Sequence, residues 1–315
     1  MSQLSDELDR YLTIRRSLGY DLKTTAVVLR SIIAFAAQQG ADHISTDLFL
    51  RWQESYGHAG RQTWAARLRI VRIFAQWLHG LDPLNEPPPR GLIPGQYHRS
   101  RPYIYSEREI ERIVTAAAEL PSIAGIRALT YSTLFGLIAV TGIRISEALA
   151  LNNGDVDMDM GVLTIRRGKF GKARLTPLEN GVSNRLRAYA SERDRRLGFT
   201  PRSFFVTDRG SRPSSSSAHN NFATVCERIG LRPPQRLARQ GCGPRIHDLR
   251  HAYAVRTIIG WYRAGRDPTR EMIKLSTYLG HSNPAHTYWY IEAVPELLEL
   301  ATQRVCESSS GEVLP

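Results

Sequence analysis

The chain has 315 residues, 42% of them hydrophobic and 9% aromatic, so it can bury a sizeable core and is long enough for two domains. Its formal net charge of +12 favours a polyanionic partner, nucleic acid before an anionic membrane surface, with a merely basic protein as the alternative. No run of about 18 apolar residues occurs, which excludes a membrane-spanning helix, and three cysteines without a CxxC pair predict no zinc site and favour a reduced, cytoplasmic setting.

Residues 1–82 are predicted to form a bundle of four amphipathic helices. Each repeats apolar residues at helical spacing, and short loops join them. Ser45 is the expected N-cap of the third helix, and Gly80 ends the fourth. The fourth helix is rich in arginine, and Arg61 and Arg67 near its start are candidates for contact with a nucleic acid, the alternative being a solvated basic face.

A change of composition separates this bundle from the rest of the chain. Residues 83–103 are rich in proline and predict an extended interdomain linker, with one long ordered loop as the alternative. Residues 104–305 then form a second domain, and residues 306–315 a flexible tail.

The second domain is predicted to be mainly α with a small three-stranded antiparallel sheet. Ser106 and Glu109 make a capping box at the start of one helix, and an apolar helix ends at Gly142. The stretch GVLTIRRGKFGKARLTPLE predicts a β-hairpin, and SFFVTDRG predicts a third short strand.

Three stretches place polar residues inside apolar helical sequence. In VTGIRISEALAL, Arg144 follows a glycine turn and either points into a cleft or forms a surface ion pair with Glu147. In RIHDLRHAYAV, His247 and Arg250 share a helix face, and burying both is costly unless an anion such as phosphate binds them. The alternative is a core histidine beside a solvent-facing arginine. In LGHSNPAHTYWYIE, two tyrosines stand two residues apart.

Together, TGIRISEAL, HDLRH and LGHS followed by a tyrosine resemble the tyrosine recombinases, or phage-integrase family, which includes the Xer recombinases and lambda integrase. The resemblance covers about residues 104–300 and implies the tyrosine recombinase catalytic fold there. Residues 1–82 are similar, more loosely, to the family's core-binding (SAM-like) DNA-binding domain.

Carried onto matching positions, the resemblance implies a catalytic set of two arginines, a lysine, two histidines and a tyrosine: Arg144, Arg250, Lys169, His247, His281 and Tyr290. The arginines would clamp the scissile phosphate, Lys169 would protonate the leaving oxygen, and His247 would transfer a proton. His281 would hydrogen-bond the phosphate.

Two further residues match supporting positions of the family. Glu147 would support the first arginine, and Lys172 is the nearby competitor of Lys169 and a candidate for DNA contact. The family's nucleophile lies nine residues after the histidine of LGH, which selects Tyr290 and leaves Tyr288 as the rival. Because AHTYWY replaces the family's usual Thr-Thr pair, a shift of register by one or two residues stays open.

The resemblance implies a site-specific recombinase that cleaves and rejoins double-stranded DNA through a 3′-phosphotyrosyl intermediate, without metal or cofactor. It implies a homotetramer on two DNA sites, with the C-terminal helix docked on or exchanged with a neighbour or, equally, packed on its own domain. Sister recombinases or accessory proteins are candidate partners, and no membrane partner is expected. The protein is expected to be cytoplasmic and associated with the nucleoid.

The segments on either side of the His-Arg helix are longer than in the Xer proteins, which weakens a specific Xer assignment. The resemblance to divergent members of the family favours a mobile-element integrase or transposon recombinase. The alternatives are a relaxing enzyme similar to the type IB topoisomerases and a DNA-binding regulator derived from a recombinase.

Overall fold

The chain divides into two units, residues 1–100 and 101–315, and helices dominate both. The computed structural model describes residues 3–95, 102–166, 173–233, 243–280, 283 and 285–310. Three residues of the predicted site lie outside the described residues: Lys169, Lys172 and His281.

Four helices build the first unit, as the apolar periodicity predicts: α1 (Gln3–Ser17), α2 (Lys23–Gln38), α3 (Thr46–Ser55) and α4 (Arg61–His79). The predicted cap of α3 is confirmed, because the Ser45 side chain accepts a hydrogen bond from the backbone N–H of Leu48 at 3.1 Å. The apolar faces of the helices meet in one core, in which Trp52 and Phe74 are buried.

The first part of the proline-rich segment lies against this helical unit. The backbone N–H of Glu86 donates to the carbonyl of Ile44 at 2.7 Å, and the backbone N–H of Ile44 donates to the Asn85 side chain at 3.0 Å. Leu92 and Ile93 pack against the core of the unit. The segment is therefore held on the helices where it begins, which the proline content alone does not predict.

Helices also dominate the second unit: α5 (Glu107–Ala118), α6 (Ile126–Thr141), α7 (Ile145–Ala150), α8 (Asn180–Leu197), α9 (Ser215–Arg228), α10 (Ile246–Arg263), α11 (Pro268–Leu279), α12 (Ala285–Ala293) and α13 (Pro295–Ser310). The capping box of α5 is confirmed, with Ser106 and Glu109 each bonding the other's backbone N–H. Because α6 is apolar on nearly all sides, it lies at the centre, packed by α5, α8 and α10. None of the helices in the described ranges, α6 included, is long and apolar enough to cross a membrane.

A small antiparallel sheet completes the second unit, in the order β1 (Val156–Asp157), β2 (Val162–Ile165) and β3 (Arg174–Pro177). The predicted hairpin is confirmed as β2 and β3, but the third strand precedes the hairpin instead of following it.

The prediction of a strand in SFFVTDRG is wrong. Ser203 makes an isolated bridge with Asn152, and the next three side chains, Phe204, Phe205 and Val206, are all fully buried. Successive side chains of a strand point to opposite faces, so three consecutive buried residues need core on both sides. A segment threaded among helices provides that environment, and one edge of a small sheet does not.

Candidate functional site

A glycine turn between α6 and α7 places Arg144. Gly142 has φ +63°, and a Cβ atom there would lie 2.5 Å from the ring of Tyr253, so both the conformation and the space require glycine. The chain then turns into α7, where the backbone N–H of Arg144 donates to the Glu147 carboxylate at 2.9 Å. The predicted glycine turn is therefore present, and it holds Arg144 at the start of a short helix.

The carboxylate of Glu147 is buried and shared between two arginines. Its side chain accepts hydrogen bonds from Arg144 Nη1 at 2.8 Å and from Arg174 Nη1 and Nη2 at 2.9 and 2.7 Å. Burial raises the pKa of Glu147, but the hydrogen bonds from Arg174 and from the Arg144 backbone outweigh it and lower the pKa to about 2. The ion pair of Arg144 with Glu147 is thus present, but it lies inside a buried network and not on the surface.

Three consecutive backbone carbonyls at the end of α11 each accept a hydrogen bond from a different arginine. Arg174 Nε donates to Tyr278 at 2.9 Å, Arg250 Nη2 to Leu279 at 2.7 Å, and Arg144 Nη2 to Gly280 at 2.9 Å, the three arginines coming from different elements. The last carbonyls of a helix lack partners within the helix and carry partial negative charge, which suits guanidinium donors. The end of α11 therefore aligns three cations side by side.

Gly280 permits this approach. It has φ +66°, and a Cβ atom there would lie 3.1 Å from Arg174 Nη1 and 3.5 Å from Arg144 Nη1. Glycine adopts the left-handed conformation that ends many helices without strain, and it leaves room for both guanidinium groups.

Arg250 and His247 lie on α10, as predicted, but differ in exposure. Arg250 is 2% exposed and donates to the carbonyls of Gly142 at 2.6 Å and Leu279 at 2.7 Å. Burial, aided by the charge of Arg144, lowers the pKa of Arg250 to about 10, so the group remains a cation at neutral pH. His247 is exposed, so the alternative of a core histidine beside a solvent-facing arginine is wrong for this pair.

The hydroxyl of Tyr290 is hydrogen-bonded inside the protein. Tyr290 is 1% exposed, and its oxygen lies 2.8 Å from Nδ1 of His251, the residue after Arg250. The His251 ring in turn contacts the ring of His247, with centroids 4.7 Å apart. Tyr288, two residues earlier on α12, is 39% exposed. The two tyrosines therefore point to different environments, as their spacing predicts.

Sequence reasoning missed two residues of this site. Arg174 opens β3, the second strand of the hairpin, and only the tertiary contact of β3 with α7 and α11 brings it to Glu147. His251 stands within the HDLRH motif, four residues after His247, and that helical spacing on one face was the available signal.

The candidate DNA contacts on α4, Arg61 and Arg67, belong to the first unit. Arg61 is exposed at the start of the helix. The Arg67 guanidinium lies over two aromatic rings, 4.2 Å from the centroid of Tyr56 and 4.5 Å from that of Trp64. Arg67 therefore has a packing role in the bundle.

The pH dependence of stability tests the Glu147 network. With a pKa near 2 against an ordinary value of 4.5, Glu147 stabilises the fold fully above about pH 4.5, and this contribution is lost as the pH falls towards 2. We expect Glu147→Gln to lower the free energy of unfolding by about 3 kcal/mol at neutral pH, and the difference from wild type to shrink through that window. Urea unfolding at several pH values measures the difference in free energy of unfolding between the variant and wild type. Glu192→Gln, at a surface pair, should change little; an unchanging difference for Glu147→Gln would contradict the network.

The site brings arginine side chains close to the phenol of Tyr290. Arg144 and Arg174 bond to one carboxylate, Glu147, and Arg250 is close enough to interact with its charge, which leaves two positive charges in excess. Such an excess favours an oxyanion such as phosphate, which arginines bind with paired hydrogen bonds. Among the described residues, no three His, Cys, Asp or Glu side chains are placed to bind a metal ion.

Comparisons with known proteins identify the family of the chain. The model of the phage integrase family matches residues 104–296. The putative integrase/recombinase y4rB of Sinorhizobium fredii is 39% identical over 310 residues, covering 97% of this chain and 98% of that protein. The tyrosine recombinase XerD of Caulobacter vibrioides is 30% identical over 238 residues, covering 75% and 72%.

Among solved structures, the Tn1549 transposon integrase, in complex with transposon right end DNA, has the same fold. Its TM-score is 0.65 at 13% sequence identity, covering 97% of this chain and all of that one.

Proposed function

Because the chain belongs to the phage integrase family and is a tyrosine-type site-specific recombinase, we propose that it cleaves and rejoins double-stranded DNA through a 3′-phosphotyrosyl intermediate on Tyr290. One observation carries this proposal: two arginines and the tyrosine converge. Arg144 and Arg250 donate to adjacent carbonyls at the end of α11, and the Tyr290 hydroxyl bonds to the residue that follows Arg250.

In the proposed cleavage step, the oxygen of Tyr290 attacks the scissile phosphorus, and the bond from phosphorus to the 5′-oxygen breaks. Arg144 and Arg250 stabilise the charge that develops on the non-bridging oxygens. The tyrosine proton passes to Nδ1 of His251, the nearest base, and Lys169 gives a proton to the leaving 5′-oxygen. The 5′-hydroxyl of a partner duplex then attacks the phosphotyrosine, and the proton transfers run in reverse.

Three other residues complete the proposed set. Glu147 supports Arg144, while His247 and His281 hydrogen-bond the phosphate oxygens. His247 lies at the surface of α10, next to the ring of His251, which suits contact with DNA better than contact with the buried phenol.

Two points favour Tyr290 over Tyr288 as the nucleophile. Tyr290 is the ninth residue after His281, and its charge would be close enough to Arg250 to interact with it. Tyr288 points about 200° away around α12 and is exposed.

The burial of Tyr290 describes a closed form of the site, in which the hydroxyl is shielded from solvent. A phosphate cannot reach a hydroxyl on a side chain that is 1% exposed, so we infer that DNA binding moves α12 or its surroundings. A movement of this kind needs no change in Arg144 or Arg250, which are held by α11.

Variants of His251 distinguish two roles for this residue: accepting the proton of Tyr290, or only holding its hydroxyl by a hydrogen bond. If His251 accepts the tyrosine proton, both His251→Ala and His251→Asn should slow covalent attachment to DNA by about 100-fold, because asparagine can accept a hydrogen bond from Tyr290 but not its proton. Single-turnover rates with a nicked duplex measure this, with Tyr253→Phe, on the same helix, as the control. Covalent attachment of His251→Ala to DNA at the wild-type rate or faster would show that His251 only holds the Tyr290 hydroxyl by a hydrogen bond.

The proposed partners follow from the family and from the C-terminal helix. We propose a homotetramer on two double-stranded DNA sites, acting in integration, excision or transposition of a mobile element. Leu297 at the start of α13 is buried in its own unit, whereas Leu298 is 54% exposed and available to a neighbouring subunit. Arg61 and Lys172 are the proposed contacts with the DNA backbone.

The experiment that tests the function traps the intermediate. A duplex selected from a random pool for binding to the protein is prepared with a series of nicks, so that cleavage just upstream of a nick releases a short fragment. We expect a covalent protein–DNA product, joined at the 3′ end of the cleaved strand, and exchange between two duplexes in a recombination assay. Relaxation of a plasmid without exchange would support a topoisomerase-like enzyme, and binding without cleavage would support a regulator.

A further inference from the structure

Arg174 takes no part in the chemistry proposed above, yet it is built into the centre of the site. Its side chain is 13% exposed, and three of its N–H groups are used on two targets, the Glu147 carboxylate and the carbonyl of Tyr278. We propose that Arg174 is a positioning residue for strand cleavage, which holds Glu147 and the end of α11 so that Arg144 meets the scissile phosphate. The inference rests on the proposed function.

The first support is geometric. Arg174 approaches Glu147 with both terminal nitrogens, one on each carboxylate oxygen, which fixes the plane of the carboxylate. Arg144 shares one of those oxygens through Nη1 and reaches the carbonyl of Gly280 through Nη2. Because both arginines bond to the same carboxylate and to the same helix end, the orientation of Arg144 depends on where Arg174 holds them.

The second support concerns charge. Glu147 carries one negative charge, and in a buried pair with Arg144 alone it would neutralise the cation that the phosphate needs. Arg174 provides a second positive charge on the same carboxylate. Arg144 therefore gains a rigid anchor from Glu147 while the group of three keeps a net positive charge for the phosphate.

The third support is the connectivity of the elements. Arg174 opens β3, a few residues after Lys169 in the chain, and its Nε donates to the carbonyl of Tyr278 near the end of α11, three residues before His281. One side chain thus ties the hairpin to the start of α7 and to the end of α11. A change at Arg174 should disturb the relative placement of these segments more than their individual structure.

The test compares variants that keep or remove the forked geometry. Arg174→Lys keeps the positive charge, but one ammonium group cannot span both carboxylate oxygens and the Tyr278 carbonyl. Arg174→Met removes the charge, and Glu147→Gln alone and in combination with Arg174→Met completes a double-mutant cycle. Arg166→Met is the matched control, because Arg166 directly follows β2, the other strand of the hairpin, and pairs with an aspartate, but its side chain is 66% exposed.

The rate of covalent attachment to the nicked duplex is measured at saturating protein, with DNA affinity measured separately. We expect DNA affinity to stay within about threefold, while the rate falls about 10-fold in Arg174→Lys and about 100-fold in Arg174→Met, the scale of a small misplacement of a catalytic group. The rate of the double variant should lie within about threefold of the rate of the slower single variant, because both changes break the same contact between Arg174 and Glu147. Arg166→Met should match wild type.

Three results would overturn the inference. They are a wild-type rate in Arg174→Lys, an equal loss of DNA affinity and rate in all Arg174 variants, and multiplied effects in the double variant. Arg174→Lys keeps a buried cation beside Glu147, so its rate decides the matter if Arg174→Met does not fold. Tyr290→Phe separates the proposed function from the present inference. If Tyr290→Phe still forms the adduct, the nucleophile assigned in the proposed function is wrong, whereas an inactive Tyr290→Phe beside fully active Arg174 variants defeats only the present inference.

Discussion

Replacing Tyr290 with phenylalanine should abolish covalent attachment to DNA. The change removes one oxygen atom, the one that would bond to phosphorus, so the rate should fall by at least about 10⁴-fold, the scale seen when an enzyme loses its nucleophile. The fold should survive, because the ring stays in its core cluster and the loss is one hydrogen bond to His251, worth about 1 kcal/mol. Denaturing gels of reactions with nicked DNA measure the adduct, and gel shifts measure binding.

Tyr288→Phe is the matched control for this prediction. It removes the same atom two residues away, from a side chain that is 39% exposed, and should leave the adduct unchanged. The reverse result, an active Tyr290→Phe and an inactive Tyr288→Phe, would move the nucleophile by two residues. If neither change matters, the assignment of the nucleophile to α12 fails.

Arg144→Ala should slow cleavage strongly while leaving DNA binding largely intact. A charged donor aimed at the developing phosphorane charge contributes on the order of 3 to 4 kcal/mol, so the rate of attachment should fall by about 10²- to 10³-fold. The buried carboxylate of Glu147 keeps two bonds from Arg174, so the variant should still fold. Arg250→Ala is less informative, because it would leave two buried carbonyls without a donor.

The control for Arg144→Ala is Arg195→Ala. Arg195 also pairs with a glutamate three residues away in its helix, but at the protein surface. Its removal should change neither cleavage nor binding. If Arg144→Ala loses DNA binding and cleavage in equal proportion, Arg144 binds substrate without selective stabilisation of the transition state.

Local features of the fold were accessible from the sequence because they depend on neighbours in the chain. Helical periodicity and the caps at Ser45 and Ser106 predict helices whose bounds the structure confirms. The glycine turn at Gly142 was equally readable, since a left-handed residue between two helical patterns has few alternatives.

Features that depend on tertiary contacts were not accessible. Arg174 stands in a strand of ordinary appearance, and its role follows only from the packing of β3 against α7 and α11. Strand propensity predicts the third strand after the hairpin, because β-branched and aromatic residues stand there, but burial on both sides overrides this propensity. The exposure of His247 and the burial of Arg250, three residues apart, likewise depend on what packs over each.

The buried phenol has a consequence for fidelity. If part of the free energy of DNA binding is needed to uncover Tyr290, a duplex that binds weakly will dissociate before its phosphate is attacked. Discrimination between the correct site and random DNA is then exerted twice, once in affinity and once in the opening of the site. The same closure shields the phenol from stray electrophiles, so reagents that nitrate accessible tyrosines should modify Tyr288 readily and Tyr290 only after DNA is bound.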